Sequence, residues 1–259
     1  MYEKELEVAI EAARRAGAAI AEIYDAKDTS HVEKSDDRGP LTEADTRSNT
    51  ILIEAIQSAF PTDAILSEET KDTPERLDKR RAWILDPLDG TREFTLQIPE
   101  FVVSIGFVVD GEIAAGVLYN PASRELFTGL VGGEATWKGS PCRVSGHQAF
   151  EGARFLVSRS EYKKGWFDKY KDQVALTPMG SVAYKFGLVA AGQAEASFTP
   201  EPRNEWDLAG GVACVIAAGG LATDGRGAPY RFNRPDPLHI GVCGTNGWLH
   251  ERVLGLIRR

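Results

Sequence analysis

Two carboxylates three positions apart, Asp86 and Asp89, stand in the run Asp86-Pro87-Leu88-Asp89-Gly90-Thr91, which is entered from the apolar stretch Ala82-Trp83-Ile84-Leu85. Pro87 limits the backbone of this turn and Gly90 permits close approach, so both acids can face one cluster of cations. The backbone N–H groups of Gly90 and Thr91 would then meet a phosphate as the chain leaves the turn. Taken alone, an acidic turn is more often a solvated loop or a helix cap. Two further acidic positions change that balance. Glu68-Glu69 closes the apolar stretch Ala64-Ile65-Leu66-Ser67, and Trp206-Asp207 precedes an Ala/Gly-rich helix more than a hundred residues further on.

The elements that would position these acids are legible from periodicity. Leu6, Ala9, Ile10, Ala13, Ala16, Ile20 and Ile23 recur at steps of three and four and predict a helix from Leu6 to Ile23. A second helix is expected from Ala44 to Phe60, closed by Pro61, with Thr42 as its N-cap after the polar turn Asp36-Asp37-Arg38-Gly39-Pro40. The stretches 64–67 and 82–85 read as neighbouring strands with acids at their C-terminal ends, where α/β folds bind ligands. Residues 101–137 read as antiparallel hairpins, and after about Gly146 short strands alternate with helices at 181–191, 208–218 and 246–257. At 259 residues the chain fits two closely packed units, an N-terminal α+β half (1–146) with most of the acids and a C-terminal α/β half (147–259) supplying Asp207.

Composition narrows the chemistry. A net charge of -8 argues against binding nucleic acid polymers, which needs clustered Lys and Arg, and implies that an anionic ligand would be drawn in by bound cations. The four histidines are scattered, and Cys142, Cys214 and Cys243 have no metal-binding spacing, so metal ligands should be oxygens and the cysteines buried small hydrophobes. The longest apolar run, Phe101 to Val109, falls well short of the roughly 18 residues that cross a bilayer. The acidic N-terminus lacks the basic and apolar regions of a leader, so no membrane role and a cytoplasmic location are expected.

The chain resembles the inositol monophosphatase family, a lithium-sensitive group of magnesium phosphatases that includes the CysQ-type 3′(2′),5′-bisphosphate nucleotidases. The resemblance rests on Leu41-Thr42-Glu43-Ala44-Asp45, Ser67-Glu68-Glu69, Asp86-Pro87-Leu88-Asp89-Gly90-Thr91, Gly180-Ser181 and Trp206-Asp207-Leu208-Ala209-Gly210-Gly211, in family order. It implies a layered αβαβα sandwich of the sugar-phosphatase type, a homodimer, and two to three Mg²⁺ ions. Glu68, Asp86 and the Leu88 carbonyl would hold one ion, and Asp86, Asp89 and Asp207 a second. A third would sit near Glu68, with Glu69 either a ligand or a neighbour of one. Thr91, bonded to Asp45, would orient and help deprotonate the attacking water, with Glu68 completing the catalytic set and no covalent phosphoenzyme formed. Substrate would meet Asp89, Gly90, Thr91, Gly180, Ser181, Lys185 and Asp207. Trp206 would pack to fix Asp207, and Gly210, where the family more often has Ala, should be of little consequence.

The resemblance also bears on the substrate, a small phosphorylated metabolite. The acid that reads inositol hydroxyls six positions before the motif Trp is replaced here by Pro200, with Glu201 adjacent. Thr91-Arg92-Glu93-Phe94 looks like the nucleotidase branch, and Lys185 either meets a second phosphate or is a solvent-facing helix lysine. 3′-Phosphoadenosine 5′-phosphate therefore leads, ahead of inositol 1-phosphate and a broad set of sugar phosphates. Two rivals differ in class. A haloacid-dehalogenase-type phosphatase would use an aspartyl nucleophile, but in D-x-D rather than D-x-x-D spacing. A non-catalytic metabolite sensor would often lack one of the metal carboxylates, all of which are present.

Overall fold

Successive strand residues face different apolar cores, and this alternation sets the layers of the molecule. A computed structural model describes residues 2–34 and 40–257, so the polar turn expected at 36–40 lies outside the described residues except for Pro40. From the N-terminus come α1 (Glu3–Asp25), β1 (His31–Glu33), β2 (Pro40–Thr42), α2 (Glu43–Ala59), β3 (Ala64–Ser67), β4 (Arg81–Asp89) and the short α3 (Thr91–Thr95). The hairpins follow as β5 (Val102–Val109), β6 (Glu112–Asn120), β7 (Glu125–Leu130), β8 (Ala135–Trp137) and β9 (Ser140–Pro141). Then come β10 (Arg154–Ser158), α4 (Arg159–Lys163), β11 (Ala175–Met179), α5 (Val182–Ala190), β12 (Ala196–Thr199) and β13 (Arg203–Asn204). The chain closes with α6 (Glu205–Ala217), β14 (Leu221–Asp224), β15 (Leu238–His239), β16 (Val242–Thr245) and α7 (His250–Ile257).

A seven-stranded sheet runs in sequence order from β3 to β9, parallel only between β3 and β4, and a five-stranded sheet has the order β11-β10-β12-β16-β14. Trp83 and Leu85 of β4 face Ile20 of α1 and Leu52 and Ile56 of α2, whereas Ile84 between them joins a core with Phe186 of α5 and Leu208 and Val212 of α6. Leu156 of β10 enters that same middle core. Its neighbours Phe155 and Val157 turn to a third core against Val253 and Leu254 of α7. The result is the five-layered αβαβα sandwich. Among the described residues no helix is long and apolar enough to cross a membrane.

Three local differences from the periodicity have clear causes. β4 does not stop at Leu85 but continues to Asp89 across an irregularity in its pairing with β5. α6 begins at Glu205, because Asn204 is its N-cap and Asp207 reaches back to the Asn204 N–H, which draws Trp206 and Asp207 into the first turn. α7 begins at His250 rather than Asn246, since the Asn246 side chain instead donates to the carbonyls of Ser145 and His147 and accepts from Leu249 N–H. Cys214 and Cys243 are buried as expected, but Cys142 is only half-buried.

The helix that carries Asp207 packs unusually close to the large sheet. Gly106, Gly116 and Gly129 lie side by side in register on β5, β6 and β7. A Cβ at Gly106 would fall 2.4 Å from the Ala209 Cβ, one at Gly116 would fall 2.4 Å from the Gly210 carbonyl oxygen, and one at Gly129 would fall 2.6 Å from the Cys214 Cα. Gly210 itself is part of this fit, since a Cβ there would lie 2.7 Å from Ser104 Oγ and would require that hydroxyl to turn aside. Gly106→Val should lift α6 from the sheet and cost about 3 kcal/mol or more of stability, read as a lowered urea midpoint. An unchanged midpoint would contradict this packing.

Candidate active site

The acidic turn owes its geometry to a bulge. Pairing between β4 and β5 passes from Asp86↔Ser104 to Asp89↔Val102, so three steps on β4 match two on β5. Strict alternation would send residues three apart to opposite faces; the extra residue lets Asp86 and Asp89 both line the same cleft. Ser48 Oγ of α2 donates to the Pro87 carbonyl at 2.7 Å, and the Leu88 N–H donates to Asp86 Oδ1 at 3.0 Å. Gly90 sits at φ 102°, and a Cβ there would come 2.7 Å from the Glu100 carbonyl oxygen, so only glycine fits.

The other acids arrive on element ends. Glu68 follows β3, and its N–H donates to the Leu85 carbonyl at 3.2 Å, extending the parallel pairing up to the site. Asp207 Oδ2 accepts from Asn204 N–H at 2.9 Å. Asp45 Oδ2 accepts from the N–H (2.8 Å) and hydroxyl (2.6 Å) of Thr42, closing a capping box, while its Oδ1 accepts from Thr91 Oγ1 at 3.0 Å. Thr91 Oγ1 also lies 3.0 Å from the Leu88 carbonyl oxygen. Carboxylate oxygens of Glu68, Asp86 and Asp207 all lie within 4.8 Å of one another. Asp89 stands beside them with Oδ2 accepting from Ser181 Oγ (2.6 Å) and Ala183 N–H (2.7 Å).

Burial makes this company unfavourable for ionised acids. Burial, with the neighbouring acids adding to it, pushes the Asp86 carboxyl well above its ordinary range and that of Asp207 up to about 8. Glu68 and Asp89 are raised by burial as well. Lys34 offsets part of this for Glu68, and for Asp89 the bonds from Ser181 and Ala183 and the charges of Lys185 and Arg203 do so. Lys34 Nζ lies 2.7 Å from Glu68 Oε1 and 2.5 Å from Glu69 Oε1, a cationic group already seated against the acids. Oxygen donors alone, gathered and desolvated, fit a hard divalent ion such as Mg²⁺. Among the described residues this is the one group of acids, His or Cys close enough to share an ion.

The remaining expected residues fall into place around a cleft of about 430 Å³. Gly180 and Ser181 form its far wall; a Cβ on Gly180 would collide with the Glu93 side chain, and Ser181, at φ 51°, caps α5 by accepting from Tyr184 N–H. Lys185 is not the solvent-facing lysine the helix pattern allowed. It is buried, with Nζ donating to the carbonyls of Ser181 (2.8 Å), Gly180 (3.2 Å) and Met179 (3.4 Å), and burial lowers its pKa to about 8. Thr42 caps α2, Glu69 pairs with Lys34, Trp206 is buried in the middle core, and Pro200 is exposed. Lys34, Arg159, Lys163 and Arg203 were not anticipated, because lone basic residues in separate segments carry no spacing signal.

Comparison with known proteins places this geometry among related chains. The model of the inositol monophosphatase family matches residues 1–259. The 3′(2′),5′-bisphosphate nucleotidase CysQ of Salmonella typhimurium is 35% identical over 230 residues, covering 86% of this chain and 91% of that one. The inositol-1-monophosphatase of Rhizobium meliloti is 30% identical over 250 residues, covering 93% and 91%. Among solved structures, the extragenic suppressor protein suhB of Bartonella henselae superposes with a TM-score of 0.88 at 26% identity over 99% of both chains.

The raised carboxyls predict a pH-dependent metal effect. Folded Asp207 keeps its proton to about pH 8, against an ordinary value of 3.8, so the folded state binds more protons in that window and stability falls as pH rises through it. A divalent cation takes the place of the proton. The gain in melting temperature on adding Mg²⁺ to metal-stripped protein should therefore be larger at pH 8.5 than at pH 5, and equal gains would contradict this account of the cluster.

Proposed function

The chain belongs to the inositol monophosphatase family, and from that premise we propose that it is a magnesium-dependent phosphomonoesterase acting on a small phosphorylated metabolite. The observation that carries the proposal is the approach of Glu68, Asp86 and Asp207 oxygens to within 4.8 Å of one another, an arrangement of ionised acids that bound cations make favourable. In this reading Glu68, Asp86 and the Leu88 carbonyl would hold one ion, Asp86, Asp89 and Asp207 a second, and Glu68 with Glu69, beside Lys34, would hold a third. Bound magnesium supplies Lewis-acid polarisation of the phosphoryl oxygen and a lowered pKa for the attacking water.

The protein's own groups supply the rest. The Thr91 hydroxyl donates to Asp45 or to the Leu88 carbonyl, which leaves its oxygen to accept from water and orient it for attack. Asp45, whose carboxyl is raised by burial, is a proton acceptor one hydrogen bond away. Gly90, Gly180 and Ser181 line the cleft as substrate contacts.

Support for a nucleotide comes from the walls. Pro200 is exposed where a polyol-reading acid would stand, and Glu201 is absent from the described residues lining the cleft. Leu96, Met179 and Val182 do line it, offering apolar surface to a base rather than hydroxyl acceptors to an inositol ring. We therefore take 3′-phosphoadenosine 5′-phosphate as the leading substrate, in keeping with the name of the Salmonella relative. Inositol 1-phosphate is the second reading, favoured by the length over which the Rhizobium enzyme aligns. The same reading divides the chain into halves 1–146 and 147–259, supported by the large sheet ending at Pro141 and the smaller one starting at Arg154, and makes it a cytoplasmic homodimer.

A phosphate-release panel with Mg²⁺, comparing adenosine bisphosphates, inositol phosphates and fructose 1,6-bisphosphate, tests the assignment, and magnesium and ester binding without release would point to a sensor. Asp89→Asn should lower kcat at least about a hundredfold, while the urea midpoint in chelator stays level or rises because a buried charge is removed. Wild-type turnover by that variant would remove Asp89 from the site. Lithium should inhibit phosphate release; full activity at high millimolar lithium would count against the family branches named above.

A further inference from the structure

Five cationic side chains line the cleft of a chain whose net charge is -8. Three of them are already engaged by the protein. Lys185 Nζ has three hydrogens and donates to three carbonyls, so it has none to offer a phosphate, contrary to the role expected from its position. Arg159 pairs with Glu93 at 3.7 Å and with Glu100, whose Oε2 also accepts from Gly180 N–H. Arg203 reaches Glu161 Oε1 at 3.5 Å and the Pro202 carbonyl at 2.7 Å.

Arg92 and Lys163 differ. Both are exposed, and among the described residues neither side chain has a hydrogen-bonding or ion-pair partner. They come from separate elements, Arg92 from α3 immediately after the acidic turn and Lys163 from the end of α4 after β10, yet both line the one cleft. A single solvated lysine is ordinary. Two unpaired cations that line the same cleft as the cluster of acids are available to an anion that the acids, with their metal ions, do not bind. The phosphate to be hydrolysed belongs with the acids, so the anion that Arg92 and Lys163 meet is a different one.

We propose that Arg92 and Lys163 form the subsite for a second phosphate group on the same substrate, and that they select a bisphosphate over the corresponding monoester. This rests on the phosphomonoesterase reading above. Arg92 can grip a phosphate with two N–H groups, and Lys163 adds a mobile point charge. The pair therefore acts on binding of the bisphosphate rather than on the reacting atoms, and its removal should appear in KM for that substrate.

The test compares phosphate release from adenosine 3′,5′-bisphosphate and adenosine 3′-monophosphate by wild-type protein, the single variants Arg92→Gln and Lys163→Gln, and the double variant. The ratio of kcat/KM, bisphosphate to monophosphate, should fall about tenfold for each cation removed, mainly through KM. Arg92→Lys and Lys163→Arg should restore most of the ratio. Inhibition by adenosine 5′-monophosphate should weaken by the same factor, with inhibition by inorganic phosphate unaltered. A folded double variant whose ratio equals that of wild type overturns the proposal, as does one that loses both substrates equally. Wild-type protein that hydrolyses neither nucleotide but does hydrolyse inositol 1-phosphate overturns the nucleotide reading itself, and this subsite with it.

Discussion

Acidic groups gathered within 4.8 Å of one another, and largely withdrawn from solvent, are the constraint around which this molecule is organised. Glu68, Asp86 and Asp207 bring oxygens within 4.8 Å, with Asp89 adjoining, and burial raises the pKa of every one of them. Left to themselves such groups would separate or hold protons. They stay together because each sits at the end of an element whose remaining length is anchored in an apolar core: β3 and β4 in the large sheet, and α6 between the two sheets. The positive groups nearby, Lys34 above all, compensate only part of the repulsion. Cations complete what the fold begins.

Precision in that gathering comes from close backbone contact. Gly106, Gly116 and Gly129 leave a bare strip across three strands, and Ala209, Gly210 and Ala213 of α6 settle into it. The height of α6 above the sheet is thereby set by main-chain atoms, which cannot change rotamer. Asp207 is carried on the first turn of that helix, and its distance to Asp86 inherits this rigidity. On the opposite face α2 plays a similar part: Ser48 holds the Pro87 carbonyl while Asp45, two turns of logic in one residue, caps the helix and receives Thr91.

Much of this could be read from the chain alone, and the limits are instructive. Asp86, Asp89 and Glu68 were legible because acid type, spacing and a preceding apolar strand coincide, and the parallel pairing of β3 with β4 does bring the two strand ends together. The layered sandwich was legible from the family motifs. The start of α6 was misplaced because apolar periodicity begins at Leu208, whereas the cap formed by Asn204 and Asp207 extends the helix backwards without any apolar signal. Lys185 resisted reading for a different reason. A lysine is buried here because the turn 179–181 offers it three carbonyls, and such a cup is assembled by tertiary structure rather than by neighbouring residues. Gly210 carries no local signal either, because the space around it is set by Ser104, more than a hundred positions away.

One oxygen of each site acid is already taken. Asp86 Oδ1 receives the Leu88 N–H, Asp89 Oδ2 receives Ser181 and Ala183, Asp207 Oδ2 receives the Asn204 N–H, and Glu68 Oε1 receives Lys34. Those bonds fix the rotation of each carboxylate before any ligand arrives, so little reordering is asked of the acids when one does. The aim of the site is held by hydrogen-bond donors that stand behind it.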